Sequence, residues 1–364
     1  MANSDLTKAK SAKKDEFYTQ YADIQKEMNA YIDYDSDVFR GKTILLPCDD
    51  PEWSNFTKFF AQNFERFGIK KLISTSYATE SKKIKDWQPT HFETESPFFD
   101  EDRSKTHGKI FVLDEDINND GRFNIEDLKW RYLEGDGDFR SEEVRRLRDE
   151  ADIIVTNPPF SLFREFVAWI MEAGKRFVCI GHQNAITYKE IFPYIKNNLI
   201  WLGKGFAGNA THFKSIYQDV AKAGDHKAGM IRVSGVVWFT NIEHGKRHEP
   251  LNLMTMDDNI LYSKHKEVKN IGYMHYENYD AIEVPFSDAI PSDYEGIMGV
   301  PITFLDKYCP EQYEILECHE PSIQVSKLIN NPGFVEYKSR QIVVNGILCQ
   351  KTYHRIFIRK KQQQ

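Results

Sequence analysis

Asn157-Pro158-Pro159-Phe160 is the tetrapeptide whose residue types and order could carry out a reaction. It directly follows Asp152-Ile-Ile-Val-Thr156, a short apolar run with the signature of a buried strand, so it falls at a strand's carboxyl end. The first proline biases Asn157 towards extended backbone, and each proline fixes its own φ. The Asn157 side-chain oxygen and the Pro158 carbonyl can then face a cleft as two fixed acceptors. An aromatic amine such as the 6-amino group of adenine has two hydrogens to donate and a lone pair delocalised into its ring. Accepting both hydrogens favours a more tetrahedral nitrogen and frees the lone pair for attack. Phe160 offers a flat face for a stacked base. Attack on a sulfonium methyl neutralises charge, so no strong base is required and positioning supplies most of the rate. The plainer reading is a rigid turn that ends a strand.

Four further segments carry polar chemistry. Gly135-Asp-Gly-Asp138-Phe139 places an acid before an aromatic, a pair suited to a nucleoside: the carboxylate accepts from an adenine amino group and the ring packs on the base. An Asp/Gly turn is the alternative. Leu46-Pro47-Cys48-Asp49-Asp50-Pro51-Glu52-Trp53-Ser54-Asn55-Phe56 closes a strand and opens a Phe-rich helix, where a cofactor loop belongs, although it lacks Gly-x-Gly. Cys48 reads there as small packing rather than a nucleophile. Asp15-Glu16-Phe17-Tyr18-Thr19-Gln20 reads by itself as a helix-entry aromatic pair. Asp116, Asn118, Asp120, Gly121, Asn124 and Asp127 match the spacing of an EF-hand-like calcium loop, with Asp127 where a bidentate Glu is usual and no second loop to pair with it. A calcium ion there would be structural. His182, after a strand, reads as a polar loop residue at the same end of the sheet.

These segments must be positioned by the elements around them. Lys42 to Pro47, Lys71 to Tyr77, Lys109 to Leu113, Asp152 to Thr156 and Arg176 to Ile180 read as strands. Trp53 to Phe67 spaces Trp53, Phe56, Phe59, Phe60, Phe64 and Phe67 at three- and four-residue intervals, a helix with one apolar face. Ser141 to Asp149, with Ser141 as N-cap, Leu162 to Glu172 and Tyr188 to Lys196 read as further helices. Strand–helix alternation predicts an α/β fold with a parallel sheet, helices on both faces and ligands at the carboxyl ends of its strands. The alternation stops after about Gly203. A second, less regular region is expected from residue 205, with strands at Ile231 to Thr240, Gln341 to Leu348 and Tyr353 to Ile358.

With 364 residues the chain is long enough for two domains, and a 41% hydrophobic fraction excludes global disorder. No apolar run approaches the length of a membrane span, and the polar, Lys-containing Met1 to Lys14 does not read as a signal peptide. Five scattered cysteines without a Cys-x-x-Cys argue against a disulfide framework or a Cys-based zinc site and fit a reducing cytoplasm. The net charge of −7 has one source: Glu93 to Glu150 holds 18 acids and 10 bases, leaving the remainder near +1. A basic binding face elsewhere therefore stays open.

In order, these blocks resemble the EcoRI family of adenine-specific DNA methyltransferases. The resemblance is carried by Phe17-Tyr18-Thr19, Pro47 to Phe56, Gly135 to Ser141, Val155-Thr-Asn-Pro-Pro-Phe-Ser-Leu-Phe163, Asn184 to Glu190, Ile200-Trp-Leu-Gly203 and Met298-Gly-Val-Pro-Ile-Thr-Phe-Leu305. It implies a Rossmann-like, S-adenosylmethionine-dependent fold over residues 1–204 and a C-terminal mixed α+β target-recognition region over 205–364. It also implies methylation of the adenine 6-amino group in double-stranded DNA by base flipping, in a restriction-modification or orphan role. Asn157, Pro158, Pro159 and Phe160 would be catalytic; Phe17, Tyr18, Thr19, Pro47, Cys48, Asp49, Asp50, Asp138 and Phe139 would line the S-adenosylmethionine pocket. A cognate restriction endonuclease is an implied companion. The tetrapeptide also serves enzymes that methylate a guanine amino group in RNA or a glutamine amide in protein, so the acceptor stays open on the motif alone. A non-enzymatic, calcium-linked DNA-binding protein is the remaining reading.

Overall fold

The structure, a computed structural model, describes residues 19–50, 54–78, 94, 96–123, 127–206, 210–214, 230–276, 279–319, 341–344, 347–350 and 354–362. The chain divides into two compact units, one of Met1–Ala185 with Ile200–Gly245, the other of Ile186–Leu199 with Lys246–Gln364.

In the first unit, α1 (Tyr21–Tyr34) buries Ile24, Met28 and Tyr31 along one face. Glu27 shares that face and is also fully buried, its carboxylate accepting from the Tyr31 hydroxyl and from the backbone amides of Lys204 and Gly205. A buried acid is tolerated because its oxygens are bonded. β1 (Thr43–Leu46) follows, then α2 (Asn55–Gln62) and the single turn α3 (Phe64–Phe67). The Phe-rich helix is thus divided at Asn63 (φ −109°, ψ 13°), which ends one segment and opens the next, and its first turn is set by the Ser54 N-cap. Phe56, Phe59 and Phe60 lie on the predicted apolar face and are at most 1% exposed.

β2 (Lys71–Ser76), α4 (Glu101–Thr106), β3 (Lys109–Leu113), β4 (Lys129–Tyr132), α5 (Glu142–Glu150), β5 (Ile153–Thr156), α6 (Phe163–Glu172) and β6 (Arg176–His182) continue the unit. Ser141 caps α5 as its type and place predict, accepting from the Val144 amide. α7 (Phe192–Lys196), which belongs to the second unit, is shorter than the predicted Tyr188 to Lys196 helix. Pro193 stands in its first turn, the one helical position where a missing N–H costs nothing, and the preceding chain forms a 3-10 turn at Gln183–Thr187.

β7 (Trp201–Leu202), β8 (Ala210–Lys214), β9 (Met230–Ser234) and β10 (Val236–Thr240) complete the first unit. The expected single strand from Ile231 to Thr240 is two, because Gly235 at φ +72° breaks it. β8 and β9 form their own antiparallel pair.

The main sheet has eight strands in the order β4-β3-β2-β1-β5-β6-β10-β7. Its centre, β2-β1-β5-β6, is parallel as expected. Its margins are not. β3 is antiparallel to β2, β4 to β3, β10 to β6 and β7 to β10, so the sheet is mixed rather than wholly parallel. The register gives the reason: Ser76 pairs with Lys109 and His182 with Val236, so the chain re-enters the sheet at the edge where it left.

In the second unit, after α8 (Met256–Tyr262) and α9 (Lys266–Ile271), the strands β11 (Ile282–Glu283), β12 (Met298–Pro301), β13 (Tyr313–His319) and β16 (Arg355–Lys360) build a sheet in the order β11-β12-β16-β13. β14 (Gln341–Val344) and β15 (Ile347–Gln350) pair antiparallel, so the run read as one strand is a hairpin. Asn345-Gly346, between them in sequence, is the dipeptide that favours such a return. Across β11 and β16, Arg355 holds Glu283 through Nη2 at 2.7 Å and Nε at 3.1 Å. Among the described residues no helix is long and apolar enough to cross a membrane.

Candidate active site

Strands β2, β1, β5 and β6 end at one edge, and the segments with polar chemistry meet there. Asn157-Pro158-Pro159 follows β5 directly, and Phe160 opens a 3-10 turn, Phe160–Leu162, that leads into α6. Pro159 has φ −54°, within the range its ring imposes, and an extended ψ of 126°. The corner is largely covered: Asn157 is 9% exposed, Pro158 is buried, Pro159 is partly exposed, and Phe160 packs in the main hydrophobic cluster at 5%.

Thr19 lies beside this corner. The Asn157 amide nitrogen donates to the Thr19 hydroxyl at 3.4 Å, and the Asn55 amide donates to the Thr19 carbonyl at 2.8 Å. One residue of the amino-terminal aromatic segment therefore touches both the tetrapeptide and the helix after the Pro47 loop. Phe17 and Tyr18 lie outside the described residues, as do Pro51, Glu52 and Trp53.

The Pro47–Asp50 turn caps β1. The Thr75 hydroxyl donates to the Pro47 carbonyl at 3.0 Å, the Asp49 amide to the Thr75 carbonyl at 3.0 Å, and the Ser74 hydroxyl to the Asp49 carbonyl. Cys48 and Asp50 are partly exposed. Asp49 is 4% exposed, and its carboxylate turns inward. Oδ1 accepts from the Ser54 hydroxyl at 2.6 Å and Oδ2 from the Thr156 hydroxyl at 2.5 Å. Thr156 and Ser54 are thus neighbours of the Asp49 carboxylate that no sequence motif marked. The available signal was the polar end of an otherwise apolar strand, Ile153-Ile-Val-Thr156: a buried hydroxyl needs a partner.

The Gly135–Phe139 loop packs on the end of β2. The Ala78 amide donates to the Asp136 carbonyl at 2.7 Å and the Gly108 amide to the Gly135 carbonyl at 2.9 Å. Asp138 is bound by its own neighbour: Arg140 donates from Nη2 at 2.6 Å, from Nε at 2.9 Å and from its backbone amide at 2.8 Å. Burial alone would raise the Asp138 carboxyl, but the hydrogen bonds and charge of Arg140 outweigh it and hold the group below its ordinary value. Phe139 is 5% exposed and meets Phe166 and Trp169 of α6 edge-on, at centroid distances of 5.2 and 5.6 Å. His182, expected in a loop, is instead the last residue of β6, paired with Val236; it is 8% exposed and its Nδ1 accepts from the Asn184 amide at 3.1 Å.

In the loop starting at Asp116, the Gly121 amide donates to Asp116 Oδ2 at 2.9 Å, and the Ile117 amide to Asp127 Oδ1 at 3.0 Å. Asn124 lies outside the described residues. Among the described residues no group of three or more His, Cys, Asp or Glu side chains is arranged to hold a metal ion.

The arrangement gives a buried carboxamide at a strand end, a partly exposed acid turn on the next strand, and a second acid loop one strand further. Comparison with known proteins agrees in kind. The family model described as adenine-specific methyltransferase EcoRI matches residues 5–361. The chain is 39% identical to the type II methyltransferase M.EcoRI of Escherichia coli over 86% of this chain and 89% of that one. It is 31% identical to the type II methyltransferase M.MpnI of Mycoplasma pneumoniae over 98% of each chain. Type II methyltransferase M.MgeORF184P of Mycoplasma genitalium is also 31% identical, over 98% of this chain and 99% of the relative. No solved structure matches significantly. On the match across nearly its whole length, the chain belongs to the adenine-specific methyltransferase EcoRI family.

Proposed function

We propose that this enzyme transfers a methyl group from S-adenosylmethionine to the 6-amino group of an adenine everted from double-stranded DNA, with Asn157 and Pro158 as the acceptors that hold the amine. The observation that carries this reading is the Asn157 corner itself. It stands at the carboxyl end of a central parallel strand, bonded to Thr19 and one residue from a hydroxyl fixed by the Pro47–Asp50 turn. The Asn157 amide nitrogen is taken up by Thr19, an orientation that suits the side-chain oxygen to the acceptor role.

The donor set fits a cationic nucleoside. Asp50 and Asp138 are partly exposed carboxylates at the ends of neighbouring strands, and the Gly-x-Gly that would cradle a diphosphate is missing from the Pro47–Asp50 turn. Asp138 and Phe139 would hold the nucleoside; Thr19, Pro47, Cys48, Asp49 and Asp50, with Phe17 and Tyr18, would frame the rest. When bound, S-adenosylmethionine supplies a methyl group activated by positive sulfur. The chain's part is to hold the amine in line, exclude water and stabilise the extruded base. Extrusion costs roughly a few kcal/mol. Stacking on the Phe160 ring offsets about 1–3 kcal/mol of it.

The first unit is the catalytic unit in this reading, with a Rossmann-like core; that unit runs past the expected boundary at 204 to Gly245, so target recognition falls to the part of 205–364 beyond it. A cytoplasmic location and a restriction endonuclease of matching specificity accompany it. A structural calcium ion at the Asp116–Asp127 loop is a further part of this reading; the observation behind it is Asp116 Oδ1, buried and without a hydrogen-bond partner among the described residues. Calorimetric titration with calcium tests it, and no heat at millimolar calcium would remove it.

Labelled S-adenosylmethionine with duplex DNA, RNA and protein in parallel tests the central proposal. Label in adenine of DNA is expected, and Asn157→Ala should abolish transfer while leaving the far-ultraviolet circular dichroism unchanged. Label only in RNA guanine or in a protein glutamine would move the acceptor. An active Asn157→Ala would remove the role assigned to that residue.

A further inference from the structure

We infer that Thr156 and Asp49 form a positioning pair that sets the Asn157 corner: the Asp49 carboxylate acts as an internal brace between the β1 turn and the end of β5. The inference rests on the reading of Asn157 as the group that holds the amine.

Three observations support it. Asp49 is 4% exposed, and both of its oxygens accept from buried hydroxyls, so the carboxylate faces the protein. One of those hydroxyls belongs to Thr156, which is fully buried and covalently joined to Asn157. The other belongs to Ser54, the N-cap of α2, whose hydroxyl also accepts from the Phe56 amide. The brace is anchored at its base as well. The Asp49 backbone is gripped by Thr75 through its amide and by the Ser74 and Thr57 hydroxyls through its carbonyl. β1 and β5 pair at Ile44–Ile153 and Leu45–Ile154, and neither Leu46 nor Thr156 is part of that register. The Asp49–Thr156 bond thus ties the two strands together past the end of their ladder, where Asn157 leaves the sheet.

A hydroxyl–carboxylate bond is short, directional and stronger than one between neutral groups. Losing it frees the backbone on the amino side of Asn157, while Pro158 continues to constrain the other side. A carboxamide that must accept from an amine in line with the methyl donor tolerates little error; a displacement of about 1 Å can cost on the order of 100-fold in rate.

The test compares Thr156→Val, Thr156→Ser and Asp49→Asn in the full-length protein, with Asn157→Ala alongside. Each is assayed for single-turnover methyl transfer at saturating DNA and S-adenosylmethionine, for donor affinity and for thermal unfolding. Thr156→Val should slow transfer by about 10–100-fold and shift donor affinity by less than about threefold. Thr156→Ser restores the hydroxyl and should recover transfer to within about threefold of the unmodified protein. The Thr156→Val, Asp49→Asn double variant should be no slower than its slower parent, because both changes act on the same Thr156–Asp49 bond, the asparagine by weakening it. Should the valine variant unfold at the assay temperature, Thr156→Ala, which also removes the hydroxyl, carries the same expectation for rate and affinity. The inference is overturned if the folded variant transfers at the normal rate, if serine is as slow as valine, or if the loss lies wholly in donor affinity. An inactive Asn157→Ala beside a fully active Thr156→Val overturns the brace alone; an active Asn157→Ala overturns the reading beneath it.

Discussion

At the scale of single residues, the site is organised by which acids are already engaged. Asp49 and Asp138 have equal chemical appeal in the sequence. Asp49 is turned inward onto two hydroxyls, whereas Asp138 is half-buried and clasped by Arg140, whose Nη1 also reaches Glu165 at 3.0 Å. This difference was not legible, because an acid's place in the sequence does not report whether a neighbouring arginine folds back onto it. Here a bidentate clasp from two residues away decides it. It has a titratable consequence. The folded Asp138 carboxyl ionises below its ordinary value, near 3.9 for an unfolded aspartate. Its contribution to stability is therefore complete above that value and is lost as the pH falls through the folded one. Arg140→Gln should move the Asp138 resonance in a carboxyl nuclear magnetic resonance titration to higher pH. The stability difference between the two proteins should narrow as the solution is acidified. An unmoved Asp138 titration would show that Arg140 is not the cause.

At the scale of elements, the strands and helices that carry the site were largely legible. β1, β2, β3, β5 and β6 lie where short apolar runs place them, and α2 buries the phenylalanines its periodicity marks. Strand direction at the margins was not legible, since apolar runs do not record which edge the chain re-enters. Nor was the close packing of the Gly135–Phe139 loop, although its glycines were visible. Gly137 has φ +85°, and a Cβ there would run into the Ser76 carbonyl oxygen, a backbone atom that cannot step aside, and press tightly on the Gly108 Cα. Gly121 has a similar φ of +78°, and a Cβ there would meet nothing within 4 Å among the described residues. Both alanine variants carry the backbone cost of a left-handed residue, about 1–3 kcal/mol. Gly137→Ala should exceed Gly121→Ala in urea unfolding by the added cost of displacing β2's end, and it alone should weaken donor binding. Equal losses would mean that the loop is not held against β2. In the second unit, Arg355→Gln leaves Glu283 buried without its ion partner, a change that costs about 3–5 kcal/mol in comparable buried pairs. Chemical denaturation measures it, and a loss under about 1 kcal/mol, typical of exposed pairs, would refute burial as the controlling factor.

At the scale of the whole molecule, the net charge is unevenly spread along the chain. The value of −7 comes from the stretch between Glu93 and Glu150. That stretch includes α4, β3 and β4, of which only α4 carries acids, Glu101 and Asp102, as well as the Gly135–Phe139 loop with Asp136 and Asp138; the Tyr132 hydroxyl of β4 bonds to the backbone of Asp100, which caps α4. β4 is the outermost strand on its side of the sheet, four positions from β5. At about 4.8 Å per strand the separation is roughly 19 Å. That exceeds two screening lengths of about 8 Å at physiological ionic strength. The sequence contained the charge imbalance but not which of its acids stand far from Asn157, because strand order is set by pairing between remote segments. The acids of α4 should therefore affect how fast DNA arrives at low salt and leave the chemical step unchanged. Replacing the exposed pair Glu101 and Asp102 with Gln and Asn should raise the DNA association rate by about a fewfold at low ionic strength. The effect should fall below about twofold near 0.15 M salt. The single-turnover methylation rate should be the same at both. Stopped-flow association across a salt series measures the first quantity and rapid quench the second. A gain that persists undiminished at high salt would place α4 against the DNA and reverse the assignment of that edge as the far side.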